Sequence, residues 1–273
     1  MSNLNFYARG RTSFFASRMD QRFSWCAYVP SGHDPAGNEM LDLIVLVHGS
    51  LRGANVLRDE FSAFAEENRC FLLAPFFPCG IEDLDDTHNY KLILWRDIRY
   101  DLVLLDMVEQ VAERYRVRKD RFMMHGFSGG GQFAHRFFYL HPDRLRAVSI
   151  GAPGTVTLPD QRDWWVGTGG METVFGKPLR LDLMRDVAVQ YVIGSEDTET
   201  WDVTVSEKSN LWRPGINDSG ATRIDRLRSL ESALAGHGIQ GRFDIVPGVA
   251  HEGGKIQDPV RDFFREVMPR QKV

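Results

Sequence analysis

The sequence Gly-Phe-Ser-Gly-Gly at residues 126–130 fits the pattern G-x-S-x-G, which is typical of a nucleophilic serine on a sharp turn. An apolar segment at 122–125 precedes it and an amphipathic segment at 132–140 follows, which predicts a strand, a tight turn and a helix. Glycines fit beside the serine because the backbone packs too closely there for larger side chains. We therefore predict Ser128 as a nucleophile, the alternative being an ordinary glycine-rich turn.

A neutral serine needs a histidine to take its proton and a carboxylate to orient that histidine. After a serine on such a turn, the acid and then the histidine follow in the chain. His237 lies in Ala-Gly-His-Gly at 235–238, which is typical of a helix C-terminus, whereas His251 follows the last predicted strand. Because α/β proteins place their sites at the carboxyl ends of strands, we predict His251 as the base. An ordinary surface-loop histidine is the alternative.

The acid is expected in the loop after the preceding predicted strand, which reads Gly-Ser-Glu-Asp-Thr-Glu at residues 194–199. Its position directly after the strand favours Asp197. Glu196 and Glu199 are the neighbouring carboxylates, and most acidic residues in such loops are simply solvated.

An oxyanion formed during acyl transfer needs two backbone N–H donors. One belongs to the residue after the nucleophile, here Gly129, and the other to an early loop that follows a buried strand. The sequence His-Gly-Ser at 48–50 ends such a strand, which predicts Ser50 as the second donor, with Leu51 as the alternative. We expect His48 to brace this loop and to carry no proton in the reaction.

Short apolar runs alternate with longer amphipathic segments, which predicts a sheet with helices on both faces. The first two strands are expected to form an antiparallel edge and the later, near-continuous apolar ones to lie parallel and buried. Predicted strands are residues 12–18, 22–29, 41–47, 71–75, 122–125, 146–150, 187–193 and 241–246. Predicted helices are residues 55–68, 97–115, 132–140, 222–235 and 259–267.

The regular alternation stops at residues 151–185 and again at 196–220. We therefore predict a single α/β domain over residues 1–273, with a small cap or insert at about 151–185, after the sixth predicted strand. Aromatic residues in these stretches and near strand ends are expected either to line a substrate pocket or to form the insert's own small core. The predicted pocket residues are Phe76, Phe127, Trp164, Trp165 and Trp201.

The 273 residues have a formal net charge of −4 and no basic stripe or polybasic run, which argues against binding to nucleic acid or anionic lipid. No run of about 18 apolar residues predicts a membrane-spanning helix. The N-terminal segment lacks the apolar stretch of a secretory signal, so a cytoplasmic protein is expected. Cys26, Cys70 and Cys79 lack metal-type spacing and are expected to be buried free thiols. The acidic residues at 82–86 lack the pattern of a calcium loop, so no metal site is predicted.

Together the candidate residues resemble the α/β-hydrolase superfamily over most of the chain from about residue 25. The helix after the serine, with Gln-Phe-Ala-His-Arg at 132–136, is similar to poly(3-hydroxybutyrate) depolymerase-like esterases. The segments that carry the wider resemblance are Val-His-Gly-Ser at 47–50, residues 126–136, Gly-Ser-Glu-Asp-Thr at 194–198 and Gly-Val-Ala-His at 248–251.

The resemblance implies an α/β-hydrolase fold and a serine hydrolase that cleaves a carboxylic ester. Its expected substrate is a small-molecule ester or related acyl compound, and no metal or organic cofactor is needed. An amidase, peptidase or thioesterase with the same residues is an alternative, as is a non-catalytic ligand-binding homologue. The sequence does not indicate an oligomeric state.

Overall fold

A central sheet of nine strands dominates the computed structural model, which describes residues 4–268. The strands in chain order are β1 (Gly10–Arg11), β2 (Phe15–Ala16), β3 (Ser24–Val29), β4 (Asp42–Val47), β5 (Cys70–Phe76), β6 (Leu94–Trp95), β7 (Ile98–Arg99), β8 (Phe122–Phe127), β9 (Leu145–Gly151), β10 (Leu158–Asp163), β11 (Gly167–Gly169), β12 (Ala188–Gly194) and β13 (Gly241–Val246). Across the central sheet, adjacent strands follow the order β1-β3-β5-β4-β8-β9-β12-β13, and β2 also pairs with β3.

The α-helices of the described part cover both faces of this sheet. They are α1 (Ala54–Glu60), α2 (Ser62–Glu67), α3 (Tyr100–Tyr115), α4 (Gly129–Leu140), α5 (Met171–Phe175), α6 (Leu181–Met184), α7 (Arg223–Gly236) and α8 (Gln257–Val267). None of the helices within residues 4–268 is long and apolar enough to cross a membrane.

Strands β5, β4, β8, β9, β12 and β13 are parallel, and β1, β2 and β3 form an antiparallel edge. The predicted mostly parallel sheet with an antiparallel N-terminal edge is therefore confirmed. Because parallel strands share a direction, the loops after β4, β8, β12 and β13 all emerge at the same side of the sheet, where the strands have their carboxyl ends. These are the loops that carry the predicted site residues.

Burial of β4 on both faces explains its near-continuous apolar sequence. Leu43, Val45 and Val47 pack into the core that includes α3, α4 and α7, while Ile44 and Leu46 pack into the core that includes α2 and α8. The alternation follows from the two-residue period of a strand. A helix layer on each face therefore buries every side chain from residue 43 to residue 47.

The prediction of one continuous first strand at 12–18 is wrong, because the chain pairs with β3 in two pieces. Between β1 and β2, the Thr12 hydroxyl accepts a hydrogen bond from the Ala27 N–H at 2.9 Å and donates one to the Ser13 carbonyl at 2.9 Å. A threonine side chain that bonds the backbone in this way replaces part of the strand ladder.

Two predicted helices have different boundaries in the structure. The segment 55–68 divides into α1 and α2 at Phe61, whose side chain is fully buried and whose ψ is −2°. The segment 97–115 begins its helix only at Tyr100, because β6 and β7 form a short hairpin before it. The apolar spacing that predicted both helices continues through these breaks and does not reveal them.

The segment predicted as a cap or insert contains β10, β11, α5 and α6, and β10 pairs in parallel with β11 in a separate two-stranded sheet. That this segment forms a cap or insert distinct from the rest of the domain stays a prediction. The prediction of three buried thiols is wrong for Cys79, which is exposed in the surface loop after β5, whereas Cys26 and Cys70 are buried.

Candidate active site

Ser128 lies on the turn between β8 and α4, with φ = 57° and ψ = −115°. Its N–H donates to the Gly151 carbonyl at 2.8 Å and its carbonyl accepts from the Gln132 N–H at 3.0 Å. A positive φ is unfavourable for a serine, so these contacts hold it in a conformation that lifts its side chain away from the sheet. Glycine is required at 126, because a Cβ there would lie 2.2 Å from the Gly130 carbonyl oxygen.

Asp197 and His251 lie in the loops after β12 and β13, which are adjacent strands. His251 Nδ1 is 2.6 Å from Asp197 Oδ2, and Asp197 is 1% exposed. With the carboxylate ionised, Nδ1 carries the proton and donates it, which leaves Nε2 as an acceptor. The Phe127 ring stacks on the imidazole with centroids 4.7 Å apart and holds its plane.

Backbone hydrogen bonds tie these two loops together. The Glu196 N–H donates to the Val249 carbonyl at 2.8 Å, and the Gly248 N–H donates to Ser195 Oγ at 2.9 Å. The acid and the histidine are therefore fixed relative to each other by main-chain contacts.

Ser128, His251 and Ser50 all line one cavity of about 700 Å³, which we call the nucleophile cavity. Among the described residues, no direct hydrogen bond joins Ser128 to His251. Such contacts are often long before substrate binds and shorten in the complex. The arrangement therefore brings a hydroxyl and an imidazole to the same opening, with the buried Asp197 carboxylate on the imidazole.

Ser50 and Gly129 lie side by side at this opening. A Cβ on Gly129 would be 3.1 Å from Ser50 Oγ and 2.6 Å from the Tyr90 hydroxyl, so residue 129 must be glycine for this approach. Leu51, the alternative donor, has a side chain that is 99% exposed and also lines the nucleophile cavity. Gly129 therefore lies next to the loop that carries Ser50, the pairing that the predicted oxyanion donors require.

His48 braces the loop that carries Ser50. Its Nδ1–H donates to the Gly49 carbonyl at 2.9 Å, and its Nε2 accepts from the Phe77 N–H at 3.0 Å. Burial lowers the pKa of His48 to about 4, so the ring is neutral at pH 7. A neutral, fully bonded ring matches the bracing role expected from the sequence.

The backbone is similar to that of poly(aspartic acid) hydrolase-1 from Sphingomonas sp. KT-1, with a TM-score of 0.72, 19% identity, and 93% of this chain and 98% of that chain covered. It is also similar to the poly(3-hydroxybutyrate) depolymerase LpqC from Bordetella parapertussis, with a TM-score of 0.70, 22% identity, and 91% and 86% covered. A third similar structure is an S-formylglutathione hydrolase from Agrobacterium tumefaciens. Its TM-score is 0.64 and its sequence identity 16%, and the match covers 97% of this chain and 96% of that chain.

The chain has the α/β-hydrolase fold. Comparisons with protein-family models and with curated protein sequences gave no match. The likeness to these hydrolases is therefore one of fold, and the chemistry has to be argued from the site.

Within the α/β-hydrolase fold, a second cavity of about 270 Å³ adjoins the first, and we call it the side cavity. Phe127 lines the nucleophile cavity and Trp165 the side cavity. The other three predicted pocket aromatics line neither. Trp164 is buried against Phe175 and donates its indole N–H to the Leu92 carbonyl at 3.2 Å.

The two remaining predicted aromatics also lie outside both cavities. Trp201 is 78% exposed, and Phe76 packs against Phe14 with ring centroids 5.6 Å apart. His237, the alternative base, is exposed at the C-terminus of α7, where the sequence predicted a helix end. Position near a strand end or in an irregular stretch therefore did not suffice to identify pocket residues.

Sequence reasoning missed Arg223, at the start of α7. Its Nη1 donates to Asp197 Oδ1 at 3.0 Å, and its Nη2 pairs with Asp202 Oδ2. Arg223 is 4% exposed, and Glu196 and Glu199 point to solvent. Both oxygens of Asp197 are therefore held, one by His251 and one by Arg223. No sequence motif surrounds Arg223, since an arginine in the first turn of a helix is usually solvated.

Sequence reasoning also missed Arg52, which lies in the loop after β4 and joins that loop to the chain that follows β5. Its guanidinium donates to the carbonyls of Ser50 at 2.6 Å, Thr87 at 2.8 Å and Phe77 at 3.3 Å, and lies over the Tyr90 ring. Within residues 4–268, no group of three or more His, Cys, Asp or Glu side chains has a geometry suited to a metal ion.

Proposed function

We propose that the protein hydrolyses a carboxylic ester through Ser128, Asp197 and His251, with an acyl-enzyme intermediate. The observation that carries this proposal is the 2.6 Å contact between His251 and the buried Asp197, at the mouth of the cavity that Ser128 also lines. A histidine held in this way has one ring nitrogen fixed as a donor and the other free to accept a proton.

In the first half of the reaction, His251 takes the Ser128 proton as Oγ attacks the ester carbonyl carbon. The carbonyl oxygen gains negative charge and accepts hydrogen bonds from the Gly129 and Ser50 backbone N–H groups. His251 then gives its proton to the leaving alcohol, and the acyl group stays on Ser128.

In the second half, water takes the place of the alcohol. His251 removes a proton from water as the water oxygen attacks the acyl carbon, and returns that proton to Ser128 as the acid departs. Asp197 stabilises the imidazolium in both halves, and Arg223 keeps the carboxylate in place. Every step uses groups of this chain and water, so no metal or organic cofactor takes part.

The three similar structures bear the names of hydrolases of different substrates, which supports hydrolysis and leaves the substrate open. An ester is proposed because it is the least demanding acyl substrate for these groups. Amides and thioesters belong in the same test, since leaving-group preference separates an esterase from an amidase, peptidase or thioesterase.

The test is hydrolysis of p-nitrophenyl esters of increasing acyl length by the wild type and by Ser128→Ala. We expect kcat/KM to fall by about 10⁴-fold or more in the variant, because the nucleophile is lost. Ser13→Ala, an exposed serine near the sheet edge, serves as the matched control and should keep wild-type activity.

A small fluorophosphonate should label the wild type and fail to label Ser128→Ala. Equal activity of the Ser128→Ala and wild-type proteins would contradict the proposal. Absence of both turnover and labelling in the folded wild type would instead favour a ligand-binding protein.

A further inference from the structure

Lys91 is a buried cation at the junction of the two cavities. It lines both of them and is 4% exposed. Its ammonium contacts His88 Nδ1 at 3.2 Å, and no carboxylate of the described residues lies within 4.0 Å of it. A lysine ammonium has three N–H donors, so this contact leaves donors free.

Neither His88 nor the acidic side chains nearby neutralise Lys91. Partial burial, together with the charges of Lys91 and Arg52, lowers the pKa of His88 to about 4, so its ring accepts a hydrogen bond without bearing charge. Asp202 lines both cavities but is paired with Arg223, and Asp86 accepts from the Asn89 N–H. Glu60, on another wall, accepts from Gln257.

The unpaired state of Lys91 is unfavourable. Burial, with contributions from Arg52 and Arg136, lowers its pKa to about 8, so it is still mainly charged at pH 7. A charge removed from water without a counter-ion raises the free energy of the folded protein. A bound anion would offset this cost.

The free donors of the Lys91 ammonium call for a ligand rich in acceptors, and a carboxylate offers two oxygens and no donor.

We propose that the substrate bears a carboxylate that binds Lys91, close to the ester bond that is cleaved. This inference rests on the proposed function and names the substrate class. A Cβ on Gly129 would lie 2.9 Å from Lys91 Cε, so the lysine packs against the backbone that flanks the reacting carbonyl. Only a short chain fits between the ester and the carboxylate, and the uncharged remainder enters the side cavity, against Leu92, Leu211 and Ile216.

The first experiment compares esters that have equal numbers of carbon atoms along the chain and differ in charge. The first pair is monomethyl glutarate, with its carboxylate on the acyl side, and the neutral methyl pentanoate. The second pair is 3-acetoxypropanoate, with its carboxylate on the alcohol side, and the neutral propyl acetate. Hydrolysis is followed by acid release. In the wild type we expect kcat/KM for at least one charged ester to exceed that of its neutral counterpart by about tenfold or more.

Lys91→Met and Lys91→Gln remove the charge, and the ratio of the two kcat/KM values should then fall by at least about tenfold. Lys119→Met, which removes an exposed lysine from the surface, is the matched control and should leave the ratio unchanged. A wild type that cleaves these esters without a preference for either charged one would overturn the inference. So would a Lys91 variant that loses activity toward charged and neutral esters equally, since Lys91 would then act on the oxyanion.

A binding measurement separates this inference from the proposed function. Calorimetry on Ser128→Ala should show at least one of the two charged esters, monomethyl glutarate or 3-acetoxypropanoate, binding at least about tenfold more tightly than to Ser128→Ala/Lys91→Met. Binding that depends on Lys91, in a wild type that cleaves no ester, would refute the proposed function alone. Cleavage of neutral esters without any effect of Lys91 would refute the substrate class alone.

Discussion

The backbone of Ser128 has a conformation that favours glycine, with φ = 57° and ψ = −115°. A non-glycine residue there costs on the order of 1–3 kcal/mol. The cost is retained because this turn points the hydroxyl at the nucleophile cavity. Under the proposed function, the identity of residue 128 is therefore set by chemistry against local stability.

Ser128→Gly should be more stable than Ser128→Ala by about 1 kcal/mol, because glycine relieves the strain but adds flexibility to the unfolded chain. Both variants should be inactive. Urea unfolding of the pair gives the difference in free energy of unfolding, and alanine is the matched control since it also lacks the hydroxyl. An alanine variant as stable as the glycine variant would show that the turn is unstrained.

The sequence singled out candidate residues that have a local motif, and it did not single out residues that are defined by tertiary contacts. Ser128 has flanking glycines at fixed spacing, and Asp197 and His251 follow apolar runs. Arg223 and Lys91 have no such signal, because each meets the cavity only after distant segments fold together. The burial of Arg223 and Lys91 and the identity of their contacts depend on tertiary packing, which a local sequence pattern does not encode.

The loop after β4 shows how an element is held by contacts with a segment distant in the sequence. Arg52 bonds the carbonyls of Ser50, Thr87 and Phe77, which joins this loop to the chain that follows β5. Apolar spacing predicted β4 and β5 but gave no information on the link between their loops. It also missed the break at Phe61 and the hairpin before α3, since apolar residues at helical spacing continue across both.

Arg52→Met should lower kcat by about tenfold to a hundredfold, with a smaller change in KM. Methionine keeps the apolar stem, but the Ser50 carbonyl loses its anchor and the adjacent donor shifts from the oxyanion. Steady-state kinetics on an activated ester give the two constants. Arg180→Met, which removes an exposed arginine bound to Asp182, should behave as wild type. Unchanged kcat in Arg52→Met would mean that the loop holds its shape without Arg52.

At the scale of the whole molecule, the α/β-hydrolase fold follows from patterns that the sequence contains. Apolar runs of strand length, separated by amphipathic segments, are sufficient to predict a parallel sheet between two helix layers. The cavities depend on how residues 151–185 and 196–220 pack over the sheet edge. Those segments lack a simple period, and so only Phe127 and Trp165 of five predicted aromatics line a cavity.

Three histidines, buried in β8, in the loop after β4 and in α4, make the stability of the whole fold dependent on pH. Burial lowers the pKa of His48 and of His125 to about 4, and lowers that of His135 well below its usual value. In His48 and His135 a ring nitrogen accepts a backbone N–H, from Phe77 and Thr157, so protonation would also break a hydrogen bond. The folded protein therefore keeps these rings neutral where the unfolded chain protonates them.

Between about pH 6.5 and pH 4 the unfolded chain binds more protons at these sites, so the free energy of unfolding must fall as the pH falls. These three protons contribute a slope of about 4 kcal/mol per pH unit in the middle of that range, and His88, whose pKa is also lowered to about 4, adds to it. Urea unfolding at a series of pH values measures the slope. His125→Gln should lower it by about one proton, whereas His237→Gln, at an exposed helix end, should not. A free energy of unfolding that stays constant from pH 7 to pH 5 would mean that these rings are reached by water or already protonated in the folded state.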